Sequence, residues 1–301
     1  MSKSNTFAAN WAEPPRVKTL ITTRNGGYSI DKFSSFNLAL HVDDNPEHVL
    51  QNRRLLQQQL PDKPYWLNQT HSNRVVNLDL INHSESVIPA QGHACPEIHK
   101  NKDLSNFPSP NSEDEFNLET NVAPLEYDAS ITTQSKKVCV VLTADCLPIL
   151  VTDKTGSFVA AIHAGWRGVE NGVIKDTIAS SGSNPQDILA YIGPAICQNH
   201  FEVGGEVLEQ FVKLDPKNAD FFIKNDSFMS YSGSTYGSTS NKYNCDLAGI
   251  AKLQLINLGL SEHNIYLSNL CTYCNDDLFY SYRKQNKTGR FASLIWLESN
   301  H

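Results

Sequence analysis

The chain is predicted to fold as one compact α/β domain of the α+β kind, spanning residues 1–301, with mixed β-sheets and flanking helices. Three observations predict this. Short apolar, β-branched runs alternate irregularly with helix-spaced segments, where a doubly wound parallel sheet would need regular βαβ units. Several runs are joined by tight turns of hairpin chemistry. No internal repeat is visible, and the 40% hydrophobic content is enough for a core.

The N-terminal third reads mostly as scaffold. Residues 17–23 alternate loosely, as a strand does, and lead into Arg24-Asn25-Gly26-Gly27, a turn able to take positive φ. The 24–29 loop is the part of this region expected to reach a site. Residues 37–42, ending in His41-Val42, read as a short strand or an ordered loop. Asn45-Pro46 has the form of an N-cap followed by the first helical residue, opening a helix to about residue 59. Val49, Leu55 and Leu56 are its inward candidates. Residues 75–80 read as a strand, with His71 in the polar break before it. A lone histidine there is ordinarily structural, unless the fold carries it to other site residues.

Residues 82–122 break the pattern with Ser, Asn, Pro, Glu and His and no sustained period, and read as a surface insertion. His93, Cys95 and His99 within it lack the spacing of a zinc finger. Order resumes at Tyr127-Asp128-Ala129, where Asp128 reads as a turn cap or as an active-site carboxylate.

The most informative stretch is 138–168. Residues 138–143 form a buried-strand run, and 147–152 and 157–162 read as a hairpin closed by Asp153-Lys154-Thr155-Gly156. In the expected register Thr152 faces Ser157, so Cys146 faces His163, close enough to share a metal or a proton. A one-residue slip would break that pairing. Asp145 precedes the cysteine. Ala164-Gly165-Trp166-Arg167-Gly168 follows the histidine, with glycines suited to close approach and Arg167 a candidate anion contact. The plainer alternative is a buried cysteine and a hydrogen-bonded histidine in an ordinary hairpin. A helix is expected over 169–180, a strand over 188–192, a helix ending near 213, an amphipathic helix over 247–258 closed by Gly259, and strands at 264–267 and 291–297.

Cys271-Thr272-Tyr273-Cys274 is a lone C-x-x-C. No second ligand pair follows at zinc-site spacing, and the context is not thioredoxin-like, so Cys274 is expected to be incidental. Arg283 and Arg290 flank a turn, either as solvated charges or as an anion clamp on a substrate.

Composition excludes several classes. Net charge is −7 and no basic patch stands out, which disfavours nucleic acid as a partner. No segment approaches the ~20 apolar residues of a membrane span. Residues 1–15 lack the apolar core of a signal peptide. The seven cysteines are odd in number and show no disulfide-scaffold spacing, so a cytoplasmic protein with reduced thiols is expected.

Taken together, Thr22-Thr23-Arg24…Gly26-Gly27, Asn68-Gln69-Thr70-His71, Tyr127-Asp128-Ala129, Thr143-Ala144-Asp145-Cys146, His163 through Gly168, Ile192-Gly193-Pro194-Ala195-Ile196 and Ser281-Tyr282-Arg283…Thr288-Gly289-Arg290 resemble the YfiH/laccase-domain family. That family was formerly described as multicopper polyphenol oxidoreductase, and is now described as purine nucleoside phosphorylase with adenosine deaminase activity. The resemblance runs from about residue 17 to 297; the 82–122 insertion departs from it, because the family usually has a short connection there.

The resemblance implies a YfiH-like fold and a zinc ion held by His71, Cys146 and His163. Three protein ligands with an open position is the catalytic kind of zinc site. It implies a nucleoside and phosphate as small-molecule partners, with Asp145 or Asp128 as a proton-moving group. Arg167, Arg283 and Arg24 are candidates for holding phosphate, and Arg290 for substrate. Three alternatives stand beside it. Copper could occupy His71, His163 and Cys146 in a phenol oxidase, although the paired H-x-H motifs of a multicopper enzyme are missing and Met1 and Met229 are poorly placed as axial ligands. Cys146 and His163 could form a cysteine-hydrolase dyad. The chain could also be a metal-binding partner protein without catalysis.

Overall fold

A computed structural model describes residues 5–81, 126–225 and 241–299. The 82–122 segment with His93, Cys95 and His99, and the whole of the 226–240 loop, lie outside these residues. Strand parity builds the architecture. In β-structure successive side chains point to opposite faces, so a strand buried on both faces reads as a continuous apolar run.

The strands are β1 (Thr6–Phe7), β2 (Val17–Thr22), β3 (Pro64–Tyr65), β4 (Val75–Asn77), β5 (Ala129–Thr132), β6 (Val138–Thr143) and β7 (Leu147–Asp153). They continue with β8 (Val159–Ala164), β9 (Ile188–Ile192), β10 (Glu202–Gly204), β11 (Phe222–Lys224), β12 (Lys242–Cys245), β13 (Ile265–Leu267) and β14 (Phe291–Leu297). The helices are α1 (Pro46–Gln57), α2 (Trp166–Asn171), α3 (Val173–Ser181), α4 (Gly205–Leu214) and α5 (Leu247–Asn257). A five-stranded sheet runs β1-β2-β14-β6-β3, a six-stranded sheet runs β13-β9-β7-β8-β5-β4, and a small sheet runs β10-β12-β11. Both large sheets mix parallel and antiparallel pairs.

The two large sheets pack face to face. In β6, Cys139 and Val141 point into the layer between them, with Leu150, Val159, Ala161 and Ile295. Val138, Val140 and Leu142 point the other way, onto Phe36, Leu38 and Leu56 of the α1 side. In β7, Ile149 and Val151 face outward onto Val173, Ile174 and Ile178 of α3 and Ile250 and Leu255 of α5. The result is helix, sheet, sheet, helices in layers, which is the mixed-sheet α+β class that the sequence predicts. No helix among the described residues is long and apolar enough to cross a membrane.

Several elements sit where the sequence places them. Asn45 Oδ1 caps α1 by accepting from the Glu47 N–H at 3.0 Å. Gly259 takes φ +99° just past α5. Residues 37–42 take the second of their two expected forms, an ordered loop, with Leu38 N–H donating to the Arg290 carbonyl. Three expectations are corrected. Strand β4 stops at Asn77 because the Asn77 side chain accepts from the Asp79 N–H and starts a 3₁₀ turn. The single helix over 169–180 is two, broken at Gly172 with φ +93°.

The third correction matters most. The β7–β8 register pairs Thr152 with Val159, not with Ser157. Asp153 holds the longer loop closed: its carboxylate accepts from Thr155 N–H and Oγ1 (3.0 and 2.8 Å), Ser157 N–H (2.9 Å) and the Ser157 hydroxyl. Those local bonds compete successfully with a tighter turn. Pro148 therefore faces His163, and the position opposite Cys146 is Gly165.

Candidate active site

The site forms where the chain leaves β6 of one large sheet and enters β7 of the other. A register shift of two residues preserves side-chain parity. Cys146 and His163 thus remain on one face as diagonal neighbours, which are still within reach of long side chains. The directly opposed position is Gly165, and its missing side chain is what admits a third group. A Cβ at Gly165 would lie 2.6 Å from His71 Cδ2 and 3.0 Å from Cys146 Sγ.

His71 enters from the loop before β4. That loop is pinned to the end of β6 by Gln69, whose side chain donates to the Leu142 carbonyl and accepts from the Leu142 N–H, both at 2.8 Å. His71 itself takes φ +61°. The Cys146 Sγ to His71 Nε2 distance is 3.8 Å, and the two imidazoles meet edge to face with centroids 4.8 Å apart. The ligating atoms of His71, Cys146 and His163 all lie within 4.8 Å of one another.

Asp128 organises both histidines. Its fully buried carboxylate lies 2.7 Å from His163 Nδ1. It also accepts from three consecutive backbone N–H groups, of Thr70 (3.2 Å), His71 (3.0 Å) and Ser72 (2.6 Å), and from the Ser72 hydroxyl (2.7 Å). Turn cap and site carboxylate are one and the same group. Burial alone would raise its pKa, but the bonds from His163 and Ser72 hold it below the usual carboxylate range. An aspartate on Nδ1 leaves Nε2 of His163 free to ligate, the usual outer-shell arrangement of a metal-binding histidine.

Electrostatics of the metal-free cluster follow from these contacts. Burial raises the Cys146 thiol, yet the charge and hydrogen bond of His163, with help from His71, bring it down to about 6. Burial lowers His163, and the Cys146 and Asp128 charges overcome that and raise it to about 9. Such a pair is a thiolate beside an imidazolium. Three deprotonatable, inward-facing N/S ligands with a second-shell carboxylate fit a tetrahedral ion of the zinc type.

The other residues singled out in the sequence are placed as follows. Asp145 is buried with φ +93°; its carboxylate accepts from Thr272 Oγ1 (2.6 Å) and from the Arg283 N–H (2.7 Å). Arg290 donates through Nη1 to the carbonyls of Thr288 and Gly289, and the Cys146 and Asp145 charges act on its guanidinium. Arg283 bonds the His200 and Glu202 carbonyls, and Arg24 bonds the carbonyls of Ser34 and Asp276 while lying over Tyr280. Arg167 is exposed, lies 4.4 Å over the Trp166 ring, and has no hydrogen-bond partner among the described residues.

Gly165 is legible in the sequence as a point of close approach, but only the register shows that the approaching group is the His71 side chain. Two further residues escape sequence reasoning. Ser72 looks like one polar loop residue among many. His41 has an exposed side chain yet lies close enough to Arg290, Arg53 and His163 to feel their charges; desolvation by the surrounding protein first, then those neighbours, push it down to about 4. Nothing in its local sequence separates it from a surface histidine.

Known proteins resemble the chain along nearly its whole length. A family model described as multi-copper polyphenol oxidoreductase laccase matches residues 18–298. A Haemophilus influenzae protein named purine nucleoside phosphorylase is 38% identical over 96% of this chain and 98% of its own length. The Escherichia coli protein named purine nucleoside phosphorylase YfiH is 35% identical over 98% of this chain and 99% of its own. Among solved structures, a Neisseria meningitidis protein superposes with a TM-score of 0.75 at 38% identity, covering 98% of this chain and 100% of that one. The Bacillus licheniformis protein YfiH gives 0.72 at 26% identity, with 94% and 93% covered. With a family match along nearly its whole length and relatives above the level at which common descent is secure, this chain belongs to the YfiH/laccase-domain family.

Proposed function

We propose that the chain is a zinc-dependent purine nucleoside phosphorylase, cleaving a nucleoside with phosphate to free base and ribose-1-phosphate, with adenosine deaminase activity as a second reaction. The observation that carries the reading is the three-ligand cluster His71, Cys146 and His163, backed by Asp128, in a chain whose relatives carry the phosphorylase name. A zinc ion held there would supply Lewis-acid polarisation to a bound oxygen or nitrogen.

The chain's own residues have separable tasks. Asp128 stays ionised and fixes the tautomer of His163, so it orients a ligand and is not a free acid–base group. Asp145 has both carboxylate oxygens engaged by Thr272 and Arg283, and it ties the C-terminal segment to the turn that carries Cys146. In phosphorolysis the C1′–N bond breaks with its electron pair leaving on the base, and a phosphate oxygen bonds C1′. The anion needs a cation with donors to spare. Arg167 is the best placed for this by its exposure and open donors; Arg290 sits within the field of Cys146 and can meet the other end of the substrate. Arg24 and Arg283 brace loops through backbone carbonyls and reach the substrate only with the donors left over.

One observation favours a second reading. The metal-free Cys146–His163 pair has the ionisation of a thiol nucleophile and its acid partner. The test separates the two. Metal-quantified protein is incubated with adenosine or inosine and phosphate, and products are followed by chromatography beside Cys146→Ala. Free base and ribose-1-phosphate from the parent and not from the variant support the phosphorylase; inosine from adenosine adds the deaminase. No product from zinc-loaded protein overturns the reading. Amide hydrolysis by metal-free protein, stopped by iodoacetamide, would establish the cysteine hydrolase. Copper with phenol turnover would establish an oxidase.

A further inference from the structure

A second cluster lies outside the site just described. Cys197 and His200 belong to the turn after β9, and Cys271 and Cys274 to the turn after β13. The C-x-x-C that finds no partner downstream in the sequence has one upstream, a Cys-x-x-His pair. The four ligating atoms all lie within 4.8 Å of one another. His200 Nδ1 is 3.2 Å from Cys197 Sγ, 3.5 Å from Cys274 Sγ and 3.9 Å from Cys271 Sγ. A tetrahedral ion with Zn–S near 2.3 Å and Zn–N near 2.05 Å would place sulfur and nitrogen about 3.5–3.6 Å apart. The observed spacing brackets that value before any ion draws the ligands in. We propose that Cys197, His200, Cys271 and Cys274 bind a second, structural zinc ion.

The surroundings support a closed site. The Cys197 N–H donates to Cys271 Sγ at 3.4 Å, the kind of backbone bond that stabilises a thiolate ligand. His200 stacks on Tyr273 with centroids 4.1 Å apart and planes 14° apart, which fixes the imidazole plane. All four positions carry a protein ligand, so no coordination place is left for substrate, in contrast to the three-ligand cluster at Cys146. Three thiolates and a neutral imidazole around a divalent ion leave one negative charge. Lys284, whose Nζ donates to the Tyr273 carbonyl at 3.2 Å and whose charge acts on Cys274, sits beside it.

The ion would clamp two turns that both touch the active site. The turn after β13 continues into Thr272, which holds Asp145 Oδ1. The turn after β9 carries Ile196, whose N–H donates to the Asp145 carbonyl, and His200, whose carbonyl receives Arg283. In the described residues the two turns are otherwise joined by few backbone bonds, Ala195 to Leu270 and Thr272 to Ala195. The four ligands are therefore positioning residues for Asp145 and Arg283, and touch no substrate themselves.

Metal counting on the full chain tests this, independently of any nucleoside activity. Reconstituted parent protein should hold about two zinc ions per chain, and Cys146→Ala should keep about one. Loaded with cobalt(II), Cys146→Ala should still show intense thiolate-to-cobalt charge-transfer absorption, since three thiolates remain around one ion. Cys274→Ser added to Cys146→Ala, a change at an exposed position, should weaken that absorption by about a third or more, because one of the three thiolates is gone. Zinc should also protect Cys274 from iodoacetamide in Cys146→Ala. A Cys146→Ala protein that binds no metal would overturn the proposal, as would an unchanged cobalt charge-transfer intensity on adding Cys274→Ser to it. Equal alkylation of Cys274 with and without zinc, or a disulfide joining Cys274 to Cys197 or Cys271 in freshly purified protein, would overturn it too.

Discussion

The Asp128 carboxylate lies 2.7 Å from His163 Nδ1 and, through its remaining lone pairs, also caps the backbone N–H groups of residues 70–72 that carry His71. One buried side chain thus sets the tautomer of one histidine and the backbone path of the other. Asp128→Asn keeps the shape but puts a neutral amide where the charge was. Metal affinity should fall 10–100-fold, the usual effect of losing an outer-shell partner. Competition with a chromophoric chelator measures it; affinity within twofold of the parent would refute the role.

Gly165 is the glycine that the cluster depends on. Its φ of −68° suits any residue, so the requirement is space alone. Gly165→Ala should displace His71, lower activity by ~10²-fold as misplacement of a reacting group does, and leave secondary structure unchanged by circular dichroism. Gly168→Ala, whose added Cβ would stand 3.3 Å from the Ser72 carbonyl, should have a much smaller effect.

The metal-free Cys146–His163 pair should exist as thiolate and imidazolium between about 6 and about 9. The Cys146 pKa is depressed, so its contribution to stability is present above the unfolded value, about 8.5, and is lost as pH falls through about 6. The His163 pKa is raised, so its contribution is full below about 6.5 and is lost as pH rises through about 9. In chelator-treated protein the rate of Cys146 alkylation should rise with a midpoint near 6. A midpoint at the ordinary thiol value would contradict the pairing.

Asp153 offers a stability test away from the site. Burial raises its pKa, but bonds from Ser157, Thr155 and Ser183 outweigh this and hold it low. Its contribution is therefore present above the unfolded value and disappears as pH falls through the folded one. Asp153→Asn should destabilise the protein by about 1–3 kcal/mol at neutral pH. The deficit in melting temperature should shrink as pH falls below about 4.

The 301 residues by themselves determine a good deal. The run 138–143 is a strand to the residue, and Asn45-Pro46 and Gly259 bound their helices, because burial on both faces and capping are local properties. The resemblance, carried by scattered short motifs, places His71, Cys146 and His163 in one cluster. Parity protects part of that expectation: the hairpin register is wrong by two residues, and an even shift leaves Cys146 and His163 on the same face.

Tertiary structure decides the rest, because it rests on contacts between residues far apart in the chain. Asp128 serves His71 and His163 at once only after β4, β5 and β8 are laid side by side. Gly165 becomes necessary only when the true register sets it against Cys146. His41 comes within the field of His163 through a loop without periodicity. Cys274 looks incidental in a lone C-x-x-C, and becomes one of four clustered ligands when β9 and β13 pair and bring Cys197 and His200 across more than 70 residues of chain. A sequence states which ligands exist; only the pairing of strands states which of them meet.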